Sequence, residues 1–149
     1  MKTQTQFFMI AGLVILILAV GWLGYSTRNQ EPAHVFAATI NRDCAPWDGG
    51  AFTVSIPVDV TTTIMISIWQ SPDIQHPIAF TFPDESGQTG FVYILPEIDP
   101  LQPLSGEVFF GRVEQGVPVE GEFNLTTERG EQYHGRFRAV WGDQVVYCG

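Results

Sequence analysis

The chain has 149 residues, 45% of them hydrophobic, and a net charge of −9 at pH 7. This length allows one ordinary domain with a hydrophobic core beside a terminal segment. After residue 30, five arginines stand against sixteen acidic residues, a net charge of −11 that repels nucleic acid and anionic lipid surfaces. The charge therefore argues against a nucleic-acid-binding protein and permits cationic partners.

An uncharged apolar segment, FFMIAGLVILILAVGWLGY at residues 7–25, follows a short N-terminal stretch that contains Lys2. As a helix it would be about 28 Å long, close to the roughly 30 Å of a bilayer core. Phe7 stands at one end and Trp22 and Tyr25 stand at the other, where interfacial aromatic belts lie. The pattern predicts one transmembrane helix.

A cleaved signal peptide is the alternative, because Lys2 supplies a positive charge and residues 35–37 form a small-residue pattern. However, the apolar run is longer than the usual core of a signal peptide, which has about 7 to 15 residues. We therefore favour a retained single-span anchor at residues 7–25, with residues 1–6 before it and a polar linker at residues 26–34 after it.

Two cysteines, Cys44 and Cys148, lie near the start and at the end of the segment that follows the linker. This placement predicts one disulfide bond in an oxidising compartment. The pair lacks the short spacing of zinc ligands, so we expect no metal site here. We accordingly predict an extracytoplasmic domain at residues 35–149, a cytoplasmic N-terminus and a location in the plasma membrane.

The predicted domain shows short runs rich in Val, Ile, Thr, Phe and Tyr, separated by Gly, Pro and Asp, and no helical periodicity. For example, Phe52, Val54 and Ile56 alternate with polar residues, as a half-buried strand requires. The strands are predicted at residues 35–41, 51–58, 62–69, 78–82, 90–95, 107–114, 119–127, 131–141 and 144–148. Eight or nine strands at this spacing predict an all-β domain, an antiparallel sandwich or barrel.

The charged segment at residues 119–141 fits a β-hairpin better than a reactive site. Pairing Thr127 with Glu131 leaves a three-residue loop that ends on Gly130, where a left-handed residue is needed. The same register places Phe123 opposite Gly135 and Phe137 opposite Gly121. It also places three polar pairs on the solvent face: Glu122 with Arg136, Glu120 with Arg138, and Asn124 with His134.

Three loops contain the acidic and histidine side chains from which a binding site could be built. The longest, at residues 96–105, holds three prolines that limit its conformations. If these loops meet at one end of the domain, their side chains could bind a cation or form an acid/base pair. The candidates are Asp73, His76, Asp84, Glu85, Glu97 and Asp99. Acidic loop residues usually face water, which is the competing interpretation.

Two tryptophans near these loops are further candidates. Trp47 lies three residues after Cys44, and we expect it to be buried against the disulfide bond. Trp69, at the end of a predicted strand, is a candidate binding residue. If exposed, Trp69 or Trp47 could be a stacking platform for a sugar or an anchor in a protein interface.

No nucleotide-binding, protease, esterase or calcium-binding motif occurs in the sequence, and no catalytic residue or cofactor is assigned. The sequence therefore predicts a membrane-anchored, extracytoplasmic β module with a binding or structural role, as an accessory subunit of an envelope or membrane assembly. The alternative is a membrane-tethered hydrolase that uses loop carboxylates and His76.

Overall fold

The computed structural model describes residues 34–96 and 101–148. The predicted N-terminal stretch at residues 1–6, the anchor at residues 7–25 and the linker up to residue 33 lie outside the described residues. Within the two described ranges, no helix is long and apolar enough to cross a membrane.

The strands of the described domain are β1 (Val35–Cys44), β2 (Gly50–Pro57), β3 (Thr62–Ile68), β4 (Asp73–Ile74), β5 (Ile78–Phe82), β6 (Gly90–Pro96), β7 (Gln102–Phe110), β8 (Val113–Glu114), β9 (Val119–Thr127) and β10 (Gln132–Trp141). Seven of them close into a barrel, in the order β1-β2-β3-β6-β7-β9-β10 and back to β1. This closed barrel is one of the two architectures that the sequence predicts. A separate two-stranded sheet joins β4 to β8.

The barrel closes through a parallel pair. β1 runs alongside β10, from Val35 opposite Arg136 to Ile40 opposite Trp141, whereas the other pairs of the barrel are antiparallel. The reason is parity, because in a ring of seven alternating strands the first and the last must point the same way. The prediction of a purely antiparallel domain is therefore wrong at this one seam.

The predicted disulfide bond is confirmed and lies at the end of this seam. Cys44 is the last residue of β1, and Cys148 is bonded to it across 104 residues of sequence. The strand predicted at residues 144–148 is wrong, because the chain after Trp141 has to leave the ladder to bring Cys148 back to β1. The bridge, and not a row of ladder hydrogen bonds, holds this segment.

β7 has different neighbours along its length, and this creates a fork in the barrel wall. One edge pairs with β9, whereas the other pairs with β6 at residues 102–103 and then with β5 at residues 106–110. The predicted loop at residues 96–105 is therefore partly wrong, because β7 begins at Gln102. Pro103 is tolerated in this strand because β7 is paired on only one edge there, so its missing N–H costs little.

The barrel interior is apolar. Phe52, Val54 and Ile56 are fully buried, as their alternation predicts, and the rings of Phe110 and Phe137 pack edge to face with centroids 5.6 Å apart. The side chain of Phe137 covers Gly121, where an added Cβ would lie 2.3 Å from the ring.

The predicted hairpin is confirmed in register. The amide of Thr127 donates a hydrogen bond to the carbonyl of Glu131 at 2.9 Å, and Gly130 has a φ of +87°. Glu122 and Arg136 form an ion pair of 3.1 Å on the exposed surface. Glu120 stands opposite Arg138 and Asn124 opposite His134, and Phe123 faces Gly135.

Candidate binding surface

Four aromatic side chains form a continuous row on the outer surface of the barrel. Trp47 lies in the turn between β1 and β2, Trp69 directly follows β3, and Phe91 and Tyr93 point outward from β6. Successive ring centroids are 5.6, 5.7 and 5.3 Å apart. The first two contacts are edge-to-face and the third is stacked, which are the favourable aromatic geometries. We call this row the aromatic ladder.

The β1–β2 turn directs the side chain of Trp47 outward. Within the turn, the amide of Ala45 donates to the carbonyl of Gly49, and the amide of Asp48 donates to the carbonyl of Ala45. Asp48 adopts a left-handed φ of 61°. As a result Trp47 is 54% exposed, and Ala45 occupies the buried position beside the disulfide bond. The prediction that Trp47 is buried against the disulfide is therefore wrong.

The β3–β6 register sets the middle of the ladder. Ser67 stands opposite Phe91, and the amide of Trp69 donates to the carbonyl of Thr89 at 2.9 Å. Gly90 begins β6 with a φ of +135°, and a Cβ there would lie 1.9 Å from the carbonyl oxygen of Ser67. Only glycine allows the two backbones to approach this closely, so Gly90 fixes where Phe91 meets Trp69.

Hydroxyl groups lie beside the ladder on β2 and β3. The hydroxyl oxygen of Thr53 lies 2.8 Å from the carboxylate of Asp43 and 3.2 Å from the hydroxyl oxygen of Ser67. A carboxylate accepts and a hydroxyl has one proton, so Thr53 donates to Asp43 and Ser67 donates to Thr53. Ser55 donates to the sulfur of Met65 in the next row. Thr53, Ser55 and Met65 are half-buried and form a surface that is almost free of charge, whereas Ser67 is buried beneath it.

The barrel has two chemically different walls. By strand alternation, Asp43 is the only charged residue at the described outward positions of β1, β2, β3 and β6. We call this surface the charge-poor wall. Arg42 is also exposed, but it alternates with the interior positions of β1 and donates a hydrogen bond to Gln115. On β7, β9 and β10, by contrast, the outward positions carry Glu107, Glu120, Glu122, Arg136 and Arg138, with His134 among them. We call this second surface the charged wall.

A cleft of about 220 Å³ opens at the fork, next to the ladder. It lies between the end of β5, the start of β6 and the first residues of β7. Its apolar lining is contributed by Phe82, Pro83, Phe91, Val92, Pro103 and Leu104. A shallow depression of about 310 Å³ shares Phe91, Val92 and Pro103 with this cleft and reaches Tyr93 and the exposed Leu101. The apolar surface therefore continues from the ladder to the fork.

The described loop residues predicted as a site lie in β4 and in the loops that flank β5. Asp73 is in β4, opposite Glu114 of β8, and its carboxylate accepts a hydrogen bond from the amide of Gln75. His76 and Glu85 are exposed. Glu97 and Asp99 lie outside the described residues. Over residues 34–96 and 101–148, no three His, Cys, Asp or Glu side chains are placed to hold a metal ion.

Asp84 organises its own loop. Its carboxylate accepts hydrogen bonds from the hydroxyls of Ser86 and Thr89, and from the amides of Gln88 and Thr89. These bonds, that from Ser86 most of all, lower the pKa of Asp84 from 3.8 to about 2. The group stays ionised near neutral pH, so its role is to shape the loop that leads into Gly90, not to donate protons.

Phe91 and Tyr93 are binding candidates that the sequence reasoning missed, whereas Trp69 was among its candidates. The signal was present in residues 90–95 (GFVYIL), where both sets of alternate positions are apolar. The barrel interior uses Val92 and Ile94, which are buried, so the aromatic residues must point outward.

No protein-family model matches this sequence, and no curated protein or solved structure matches it either.

Proposed function

We propose that this chain is a single-pass protein of the plasma membrane whose extracytoplasmic β domain binds a partner protein, as an accessory subunit of a membrane or envelope assembly. The observation that carries the proposal is the aromatic ladder on the charge-poor wall. The predicted anchor at residues 7–25 supports action close to the bilayer. The disulfide bond fits an oxidising compartment.

The composition of the charge-poor wall is that of an interface core. Such cores are enriched in aromatic residues and Met and depleted of charged residues, and Trp and Tyr are frequent among the residues that dominate binding. Trp47 and Phe91 are 54% and 43% exposed, so a partner can remove substantial apolar area from water. Because the rings already contact one another, they lose less side-chain entropy when a partner binds.

A matched pair of phenylalanines provides the test. Phe91 on the charge-poor wall and Phe109 on the charged wall are 43% and 42% exposed, and each points outward from a barrel strand. The amount of partner that co-purifies with the full-length chain from solubilised membranes is the quantity measured. We expect this amount to fall at least about ten-fold for Phe91→Ala and to stay unchanged for Phe109→Ala. Equal retention or equal loss in two folded variants would show that the ladder is not the binding surface.

A neutral glycan is the second candidate ligand for the same wall. The half-buried hydroxyl residues Thr53 and Ser55 of β2 lie on the same outer face as Phe91, with β3 between them, so hydrogen-bonding groups share a face with a stacking surface. Titration of the full-length chain with neutral oligosaccharides separates the two ligands. Saturable binding that Phe91→Ala abolishes and Phe109→Ala preserves would favour the glycan.

The membrane-tethered hydrolase is the weaker alternative. Asp84 is committed to hydrogen bonds within its own loop, which lowers the number of free carboxylates available for catalysis. Activity of the full-length chain towards ester or glycan substrates, lost in a folded His76→Ala variant, would restore this alternative.

A further inference from the structure

The cleft at the fork is an opening in the barrel wall that arises from topology. Along β7, the last residue paired with β6 is Pro103, opposite Tyr93. The first residue paired with β5 is Gly106. Leu104 and Ser105 of β7 are therefore paired with β9 alone, and the other edge of the strand faces the cleft. The opening places side chains of the core at the floor of a surface cleft.

The size and lining of the cleft select a small apolar group. Phe82, Val92 and Leu104 form its inner surface and are almost completely buried, while Phe91 and Pro103 form its rim. A volume of about 220 Å³ is below the range of roughly 300 to 1,000 Å³ that suits drug-sized ligands. It exceeds the roughly 150 Å³ that binds benzene in an apolar cavity. One aromatic ring or a branched alkyl group fits.

The charge at the cleft sets the polarity of the rest of the ligand. Glu128, in the β9–β10 turn, is the only ionisable group in the described lining, and Ser105 supplies the one side-chain hydroxyl. Arg129 follows in the same turn but does not line the cleft. An exposed carboxylate beside an apolar cleft favours a ligand with a positive charge next to its apolar body. The acidic balance of the domain also attracts cations at low ionic strength.

We infer that the cleft at the fork is a binding site for a small organic ammonium ion with a single ring or a branched alkyl body. The apolar body enters between Phe82 and Leu104, and the ammonium group lies near Glu128. This site shares Phe91 with the aromatic ladder, but its inner surface of Phe82, Val92 and Leu104 and its carboxylate lie outside the ladder, so it does not rest on partner binding there. It would remain if the ladder were shown to bind nothing.

The test uses benzylamine and benzyl alcohol, which share a ring and differ in charge. Methyl-resolved NMR spectra of the full-length chain, labelled at leucine and valine, report binding at Leu104 and Val92 themselves, whatever fraction of the probe enters lipid or detergent. We expect saturable shifts of these two methyl signals with benzylamine, with a dissociation constant on the order of 1 mM for so small a ligand. Benzyl alcohol should bind more weakly by about five-fold, the effect of one exposed charge pair.

Variants of two glutamates in the same hairpin distinguish a local contact with the ligand from the attraction exerted by the overall negative charge of the protein. Glu128→Gln should weaken benzylamine about five-fold and leave benzyl alcohol unchanged. Glu131→Gln removes an equal charge from a residue outside the cleft lining and should change neither probe. Absence of shifts at Leu104 and Val92, equal affinity for both probes, or equal losses in the two variants would each overturn the inference.

Discussion

Gly90→Ala is expected to be among the most damaging single-methyl additions in the described domain. The new Cβ would lie 1.9 Å from the carbonyl oxygen and 2.9 Å from the carbonyl carbon of Ser67, both backbone atoms that no side-chain rotation can remove. Holding a non-glycine residue at a φ of +135° costs about 1 to 3 kcal/mol. The backbone shift needed to relieve the overlap costs about 1 to 3 kcal/mol more.

The expected loss in the free energy of unfolding is therefore about 2 to 6 kcal/mol, a large part of the 5 to 15 kcal/mol typical of a domain. Gly87→Ala, in the loop before Gly90, is the matched control. It has a φ of +64° but no atom within 4 Å of the added Cβ, so it should cost only about 1 to 2 kcal/mol of backbone strain.

Urea unfolding of the full-length chain, followed by tryptophan fluorescence, measures both variants. The emission of Trp69 adds a local signal, because its ring lies 5.7 Å from Phe91, the residue after Gly90. Equal losses in the two variants would refute the reasoning, since they would mean that the close approach of β3 and β6 adds nothing to the strain.

Three further outcomes are expected. Replacing Cys44 and Cys148 by serine should lower the free energy of unfolding by about 2 to 5 kcal/mol, because the bridge restrains a long loop in the unfolded chain. The lowered pKa of Asp84 stabilises the fold above pH 3.8, and this contribution is lost as the pH falls towards about 2. In Asp84→Asn, the free energy of unfolding should therefore decrease less between about pH 4 and about pH 2 than in the wild type. A double-mutant cycle between Glu122 and Arg136, both largely exposed, should give a coupling of about 0.2 to 1 kcal/mol that weakens in high salt.

A specific result would contradict each of these three predictions. A serine variant as stable as the oxidised protein would mean that the parallel seam needs no bridge. Superimposable acid profiles of the wild type and Asp84→Asn would remove the role assigned to that carboxylate. A coupling between Glu122 and Arg136 that does not respond to salt would show that their contact is not electrostatic.

Local sequence information was sufficient for the hairpin of β9 and β10. Its alternation, its three-residue loop and Gly130 agree on one register, and the structure has that register. The disulfide bond was predictable for a similar reason, because the chain has only two cysteines. The N-terminal anchor and the location that follows from it stay predictions.

The errors occur where distant parts of the chain decide the local structure. The sequence pattern predicts a loop at Pro103, yet this residue is in β7. Only the fold shows that the strand has one free edge there. The position of Trp47 beside Cys44 predicts a buried ring, whereas the turn around Asp48 directs this side chain outward. The strand predicted at residues 144–148 does not form, because the disulfide bond draws this segment towards Cys44 and away from strand pairing.

The same limit applies to the candidate binding surface. Trp69 was predicted as a binding residue, but the continuous row with Phe91 and Tyr93 depends on the pairing of β3 with β6. The cleft was not predictable, because it arises where β7 exchanges one neighbour for another, and no spacing along the sequence marks that exchange.

The parallel contact of β1 with β10 also determines when the ring can form during synthesis. The residues around Val35 emerge from the ribosome about a hundred positions before their partners around Arg136. Until then β1 has no partner on that edge, and unpaired strand edges are where β proteins associate wrongly. The topology therefore predicts that this edge is prone to non-native association during synthesis.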